Sequence, residues 1–165
     1  MLQQITVKIK KLFEDSILPE RSFPTDSGLD LYAHSFAKYF TANNTAHKIA
    51  EDVTDMVIEP GCRLLVNTGI SATVCRGFEI QIRPRSGLAL KSGITVLNTP
   101  GTIDESYRGM IGVILINHTQ VNFRISKEMK IAQMVVCPVI LCDVEVVDDF
   151  ENTERSAGGF GHTGV

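Results

Sequence analysis

Residues 94–117 read ITVLNTPGTIDESYRGMIGVILIN, and this stretch decides the fold. Two apolar, β-rich runs, 94–97 and 110–116, flank a polar turn that begins at Asp104 and contains Tyr107. The pattern predicts a hairpin whose body is buried on both faces. A carboxylate and an aromatic ring on so stiff a support suit a small-molecule pocket. An ordinary solvated turn is the alternative, and the rest of the chain has to decide between the two.

Length and charge limit the classes of function. The chain has 165 residues and a formal net charge of −3 at pH 7, with its 16 Lys and Arg residues scattered. The length fits one domain, and the charge argues against direct nucleic-acid binding, which usually needs a basic face. The apolar runs are far shorter than a membrane span, and the first residues lack the order of a signal peptide. We therefore expect a soluble intracellular protein without a membrane contact.

The cysteines do not indicate a metal centre. Cys62, Cys75, Cys137 and Cys142 form no Cys-x-x-Cys pair, and none has a histidine at zinc-finger spacing. We interpret them as reduced thiols that behave as small hydrophobic side chains.

Short β-rich segments joined by turns occupy most of the chain. Residues 77–83 alternate apolar and polar side chains, and residues 139–147 read as a last strand. Residues 34–53 mix polar side chains without a period, which predicts a surface insertion. The sequence as a whole predicts an all-β barrel or sandwich of roughly ten short strands.

The strand pattern is interrupted at residues 84–93, and this segment contains the first candidate binding groups. Ser86 can cap a short helical turn and Gly87 lets a ligand approach the backbone, next to the guanidinium of Arg85. Such a turn can bind an anion, although a plain turn is the alternative. Gln133 and Asp30 are polar residues within apolar strands. Gln133 is either a satisfied structural amide or a phosphate contact, and Asp30 faces either a wet edge or a site with a cation or polar ligand.

The C-terminal segment has a different composition from the rest. Residues 149–165 are first acidic and then rich in glycine, which is typical of a disordered tail. The alternative is an arm that closes over a ligand, because Arg155, Phe160 and Thr163 supply a charge, a stacking surface and a hydroxyl.

Five segments follow one another in a specific order between residues 27 and 164. They read SGLDL (27–31), PRSGLA (84–89), GTID with YRG (101–109), KIAQ (130–133) and RSAGGFGHTG (155–164). Together they resemble the motifs of the trimeric dUTPases, which hydrolyse dUTP to dUMP and pyrophosphate. The resemblance implies a jelly-roll-like barrel over residues 1–148, a flexible C-terminal arm over 149–165, and a homotrimer whose subunits share active sites.

The resemblance also implies a role for each matching residue. Asp104 would be the general base for the water that attacks the α-phosphorus of dUTP. The Tyr107 ring would pack beneath the deoxyribose, where a 2′-hydroxyl would clash. The remaining substrate contacts would be Asn98, Thr102 and Ile103 at the uracil edge, Gly112 in the same site, Arg85, Ser86, Gly87 and Gln133 at the phosphates, Arg155 at the γ-phosphate, Phe160 stacked on uracil, and Gly161 and Thr163 in the arm.

The implied cofactor is Mg²⁺. Asp30 would touch the ion through water, while the substrate phosphates would hold most of it, as Mg²⁺ prefers. A chain without a cluster of metal ligands is compatible with this arrangement.

The chain departs from the family pattern in places. His162 replaces a common Ser of the tail, Lys130 replaces a more common Arg, and residues 127–128 replace a usual Gly. Two other functions stay open. One is a dCTP deaminase-type activity on the same fold, which would use a glutamate such as Glu105. The other is a non-catalytic nucleotide-binding regulatory trimer.

Overall fold

Almost all regular elements of the protein are strands. The computed structural model describes residues 5–153 and 156–157. The elements are β1 (Lys8–Lys11), β2 (Leu29–Tyr32), β3 (Ser35–Phe40), β4 (Ala46–Lys48), β5 (Asp55–Ile58), β6 (Arg63–Asn67), β7 (Ile70–Thr73), β8 (Phe78–Arg83), α1 (Ser86–Ser92), β9 (Ile94–Val96), β10 (Gly101–Ile103), β11 (Gly112–Asn117), β12 (Phe123–Ser126) and β13 (Lys130–Pro138). The all-β prediction is confirmed. Within the described ranges, no helix has the length and apolar character needed to cross a membrane.

Two antiparallel sheets enclose the core. One has the strand order β10-β8-β13-β2 and the other β4-β3-β6-β11-β9, and the ribbons β1-β7 and β12-β5 complete the layers. Buried and partly exposed side chains alternate along β6 and β8, so each strand turns one face inward. Leu64 and Val66 of β6 and Ile80 and Ile82 of β8 are among the buried residues that join the two sheets.

The pairing predicted within residues 94–117 is confirmed, but the hairpin differs from the expectation in two respects. β9 and β11 pair antiparallel, with Val96 opposite Leu115. β11 alternates between buried and more exposed side chains, so the body is not buried on both faces of the single chain. The connecting chain also does not turn back directly. It forms β10, which joins the other sheet by pairing Gly101 with Ile82 of β8.

The strand predicted over residues 139–147 is wrong for this chain. β13 ends at Pro138, and residues 140–153 are exposed and lie outside any strand. β13 pairs with β8 as far as Pro138, and the chain that follows pairs with no strand of the described residues. The apolar residues of this segment could be buried in a sheet, but they are exposed in the single chain.

Residues 34–53 lie partly inside the fold. β3 pairs with β6 in the five-stranded sheet, and Phe36 belongs to the core. The outer part, β4, is exposed throughout and forms one edge of that sheet. The surface character expected of the whole segment therefore applies to the chain beyond β3.

Candidate active site

A pocket of about 200 Å³ forms where β10 leaves the β9-β11 pair. It is lined by Ile82, Val96, Asn98, Gly101, Thr102, Ile103, Tyr107 and Gly112. A Cβ atom on Gly101 would lie 3.3 Å from Cβ of Ile82 and 3.4 Å from Nδ2 of Asn98, so a larger residue would crowd the pocket floor. The structure thus brings together the five residues predicted for uracil and sugar: Asn98, Thr102, Ile103, Tyr107 and Gly112. We call this the hairpin pocket.

The loop of residues 104–110 follows β10 and carries the predicted base. The backbone N–H of Tyr107 donates to the carbonyl oxygen of Asp104 at 3.1 Å, which closes a turn. The Tyr107 hydroxyl donates to the carbonyl oxygen of Met110 at 2.9 Å. The Arg108 guanidinium donates to the carbonyl oxygens of Glu105 and Tyr107 at 2.6 and 2.8 Å. These bonds hold Asp104 and the Tyr107 ring on one compact support.

Two hydroxyl groups of β7 anchor the same loop, and sequence reasoning missed them. Ser71 Oγ donates to the carbonyl oxygen of Arg108 at 2.9 Å, and Thr73 Oγ1 donates to that of Glu105 at 3.1 Å. Ser71 is buried, and a buried hydroxyl needs a partner. The only sequence signal was the recurrence of hydroxyl residues at every second position of an otherwise apolar strand.

Asp104 itself opens onto a neighbouring cavity. This cavity has a volume of about 410 Å³ and is lined by Gly77, Phe78, Glu79, Asp104, Glu105, Ser106, Val139 and Leu141. Asp104 and Tyr107 therefore share a loop but line different cavities of the single chain. The catalytic role of Asp104 stays a prediction.

A second group of predicted residues gathers around Asp30. Its Oδ1 accepts a hydrogen bond from Nε of Arg85 at 3.0 Å, and its Oδ2 lies 3.0 Å from Nζ of Lys130. The Asp30 side chain is only 13% exposed. A carboxylate so far removed from water requires such cationic partners. We call Asp30, Arg85, Lys130 and Gln133 the Asp30 cluster.

Gln133 lies beside Asp30 because β13 pairs with β2. Its Nε2 donates to the carbonyl oxygen of Pro84 at 3.0 Å. A Cβ atom on Gly28 would collide with the Gln133 amide, so the first and fourth sequence motifs meet without a side chain between them. The amide is thus satisfied structurally, and its phosphate contact stays a prediction.

Lys130 is held by a network that sequence reasoning did not anticipate. The hydrogen bond to Asp30 raises the pKa of Lys130 above its usual value. Glu20 Oε1 lies 3.5 Å from Nζ of Lys130 and also accepts the hydroxyl of Tyr32, which lowers the pKa of Glu20. Lys130 therefore keeps its positive charge at neutral pH beside Arg85. Nothing in the sequence around Glu20 indicates this contact.

Ser86 and Gly87 begin helix α1 and are exposed, directly after Arg85. Arg85 has extended backbone angles and serves as the residue before the first helical turn. Its guanidinium folds back to Asp30, while the Ser86 hydroxyl and the Gly87 backbone remain accessible to a ligand.

The residues around Asp30 fit an ion bound through water. In residues 5–153 and 156–157, no group of three or more His, Cys, Asp or Glu side chains could hold a metal directly. The Asp30 oxygens have cationic partners, but a carboxylate has about four lone-pair sites and can also accept from water on a metal. This donor set suits Mg²⁺ that is bound chiefly by phosphates.

The two groups of residues have separate side-chain hydrogen-bond networks in the described part of the chain. Across residues 5–153, no hydrogen bond or ion pair joins the Asp30 cluster to the residues of the hairpin pocket or to Asp104. Arg155, Phe160, Gly161 and Thr163 of the predicted arm lie outside the described residues.

Sequence comparison identifies the family. A dUTPase family model matches residues 51–164. A deoxyuridine 5'-triphosphate nucleotidohydrolase of Clostridium tetani is 46% identical over 163 residues, which cover 99% of this chain and 99% of the relative. The protein of that name from Gloeothece citriformis is 50% identical over 159 residues, which cover 96% and 97% of the two chains.

Solved structures agree in fold. The dUTPase of Staphylococcus bacteriophage 80alpha, solved with dUPNHPP, matches with a TM-score of 0.76 and 23% identity, covering 97% of this chain and 99% of that chain. A mutant dUTPase from phage phi11 of S. aureus, solved in work on the coordination of a structural Mg(II) ion, matches with a TM-score of 0.70 and 20% identity, covering 89% and 99%. This likeness confirms the predicted jelly-roll-like barrel. Together with the family model and the relatives at 46% and 50% identity, it establishes that the chain belongs to the dUTPase family.

Proposed function

We propose that this protein hydrolyses dUTP to dUMP and pyrophosphate. The observation that carries the proposal is the hairpin pocket, which places Asn98, Thr102 and Tyr107 beside the loop of Asp104 in a member of the dUTPase family. Relatives that match nearly the whole chain bear the name of this activity. The reaction would limit uracil incorporation into DNA and supply dUMP for dTTP synthesis.

The Asp104 carboxylate would act as the general base. It is exposed at the end of β10, and the bonds from Ser71 and Thr73 fix the loop that carries it. An ionised carboxylate within hydrogen-bond reach of a water can take its proton as the oxygen attacks the α-phosphorus. Pyrophosphate then leaves in line with the attack.

The substrate would lie between the two groups of residues. Uracil would meet Asn98 and the backbone of Thr102 and Ile103, and the deoxyribose would pack on Tyr107. Arg85, Ser86, Gly87 and Gln133 would contact the phosphates, with Arg155 at the γ-phosphate and Phe160 over the base. Mg²⁺, bound to the phosphates and touched through water by Asp30, would offset the triphosphate charge.

We propose a homotrimer with shared sites as the working assembly. The lack of a hydrogen bond or ion pair between the hairpin pocket and the Asp30 cluster in the described residues agrees with it, because a trimer would let neighbouring chains supply the two groups to one ligand. The segment after β13 supports it as well. Ile140, Val144 and Val146 are 92%, 90% and 92% exposed, which a partner chain would cover. We infer a soluble intracellular enzyme from the scattered charges and the short apolar runs of the sequence.

Pyrophosphate release from dUTP in the presence of Mg²⁺ tests the proposed reaction. Parallel reactions with UTP and dCTP are the controls, and no comparable turnover is expected with either. Ammonia released from dCTP would instead indicate the deaminase-type activity. Nucleotide binding without any turnover would indicate the regulatory trimer.

Truncation after Phe150 tests the C-terminal arm over residues 149–165. We expect kcat/KM for dUTP to fall by about a hundredfold or more, because a charge-assisted phosphate contact is worth about 1.5 to 3 kcal/mol and a base stack about 1 to 3 kcal/mol. The assembly state measured by light scattering should stay unchanged, since every strand of the described residues ends at or before Pro138. Unchanged kcat/KM would show that the arm is dispensable.

A further inference from the structure

Gly109 lies directly against the tip of the Tyr107 ring. A Cβ atom added to Gly109 would lie 2.6 Å from Cζ and 3.1 Å from Cε2 of Tyr107, and it would also collide with the hydroxyl oxygen. These are the three nearest atoms, and all of them belong to Tyr107. Non-bonded carbon atoms pack at about 3.5 to 4.0 Å. A side chain at position 109 and the observed ring position therefore exclude each other.

The backbone does not explain why this residue is glycine. Gly109 does not have the positive φ angle found at Gly61, Gly69, Gly77 and Gly93. Its φ angle lies outside the left-handed region that favours glycine, so the three nearest atoms, all of Tyr107, are the observed obstacle to alanine.

The position of the ring determines the shape of the hairpin pocket. The ring lines that pocket together with Thr102 and Gly112, and its hydroxyl is bound to the Met110 carbonyl oxygen. The atoms that would meet a new Cβ are at the far end of a side chain that is 41% exposed. The ring can move into solvent-accessible space, so the conflict would displace the ring and leave the fold intact.

We propose that Gly109 is a positioning residue for substrate selection. Its missing side chain lets the Tyr107 ring lie across the backbone and bind the Met110 carbonyl oxygen, and this fixes the wall of the pocket. The proposal rests on the proposed function, in which that wall contacts the deoxyribose. Gly109 touches no substrate atom and acts only through Tyr107.

A double-mutant cycle separates this role from a structural one. Gly109→Ala should raise KM for dUTP about tenfold or more and change kcat less than about threefold. The contact between the Tyr107 ring and the deoxyribose is lost, but the Asp104 carboxylate is kept as general base. In a Tyr107→Ala background, Gly109→Ala should change KM less than about twofold, because the colliding ring is gone. Equal effects in both backgrounds, or no effect in the parent, would overturn the proposal.

A ligand-free measurement tests the contact without dUTP turnover. The chain has three tyrosines, so protein made with 3-fluorotyrosine should give three groups of ¹⁹F resonances, assigned by Tyr107→Phe. Gly109→Ala should shift the Tyr107 resonance and leave those of Tyr32 and Tyr39 unchanged. An unshifted Tyr107 signal, or an unfolded variant, would refute the positioning role. If the parent fails to hydrolyse dUTP while the Tyr107 signal shifts, the proposed function fails and the contact stands.

Discussion

Asp104→Asn is expected to lower kcat for dUTP by about a thousandfold or more, and to leave KM within about threefold. Asparagine keeps the size of the side chain but cannot accept a proton at neutral pH. Asp104 is exposed and accepts a single backbone hydrogen bond, at its carbonyl oxygen, so the substitution should not disturb the loop. Steady-state kinetics of pyrophosphate release at saturating Mg²⁺ measure both constants.

Glu105→Gln is the matched control for this variant. Glu105 is the next residue and lines the same cavity, and the hydrogen bonds that it accepts from Thr73 and Arg108 go to its backbone oxygen. We expect the activity of this variant to equal that of the parent. Full activity of Asp104→Asn, or a large loss in Glu105→Gln, would show that the base has been assigned to the wrong residue.

Arg85→Gln is expected to lower kcat/KM for dUTP by about a hundredfold, since charged hydrogen bonds to phosphate are worth about 1.5 to 3 kcal/mol each. The guanidinium is one of two cations on the nearly buried Asp30. Its loss leaves Lys130 as the remaining cationic partner of that carboxylate, so the melting temperature should also fall by a few degrees.

Arg124→Gln provides the control for a loss of charge. Arg124 of the β5-β12 ribbon also pairs with an aspartate, Asp55, but these two side chains are 67% and 40% exposed. We expect its kcat/KM to stay within about twofold of the parent, as for most surface ion pairs. Equal losses in the two variants would mean that Arg85 contributes only general electrostatics.

Local pattern was sufficient to predict some of this site. The pairing of β9 with β11 follows from two apolar runs, and the candidate residues of the hairpin pocket follow from motif order. The departure of β10 to the other sheet was not predictable. Its pairing of Gly101 with Ile82 is a non-local contact that the period of side chains cannot indicate.

The contacts that support the site could not be predicted from the sequence either, because they too are non-local. Ser71 and Thr73 bind backbone carbonyls, which have no sequence signature, and Glu20, which bridges to Asp30 of β2, reaches Lys130 of the neighbouring β13. Residues 139–147 were predicted as a strand because they are rich in apolar and β-branched side chains, and such a composition shows only that the segment would fit a half-buried sheet surface. Whether the edge of a sheet is available to these residues depends on strand pairing that lies far away in the sequence.

The central claim is that the hairpin pocket and the Asp30 cluster of one site come from different chains. Asp104→Asn and Arg85→Gln each inactivate one of the two groups of residues that make up a site. Co-expressing the two variant chains therefore tests the claim directly. Random mixing in a trimer should restore about a quarter of the parent activity, because a quarter of the shared sites then contain two intact halves. Activity that stays at the sum of the two separate variants would show that each site lies within a single chain.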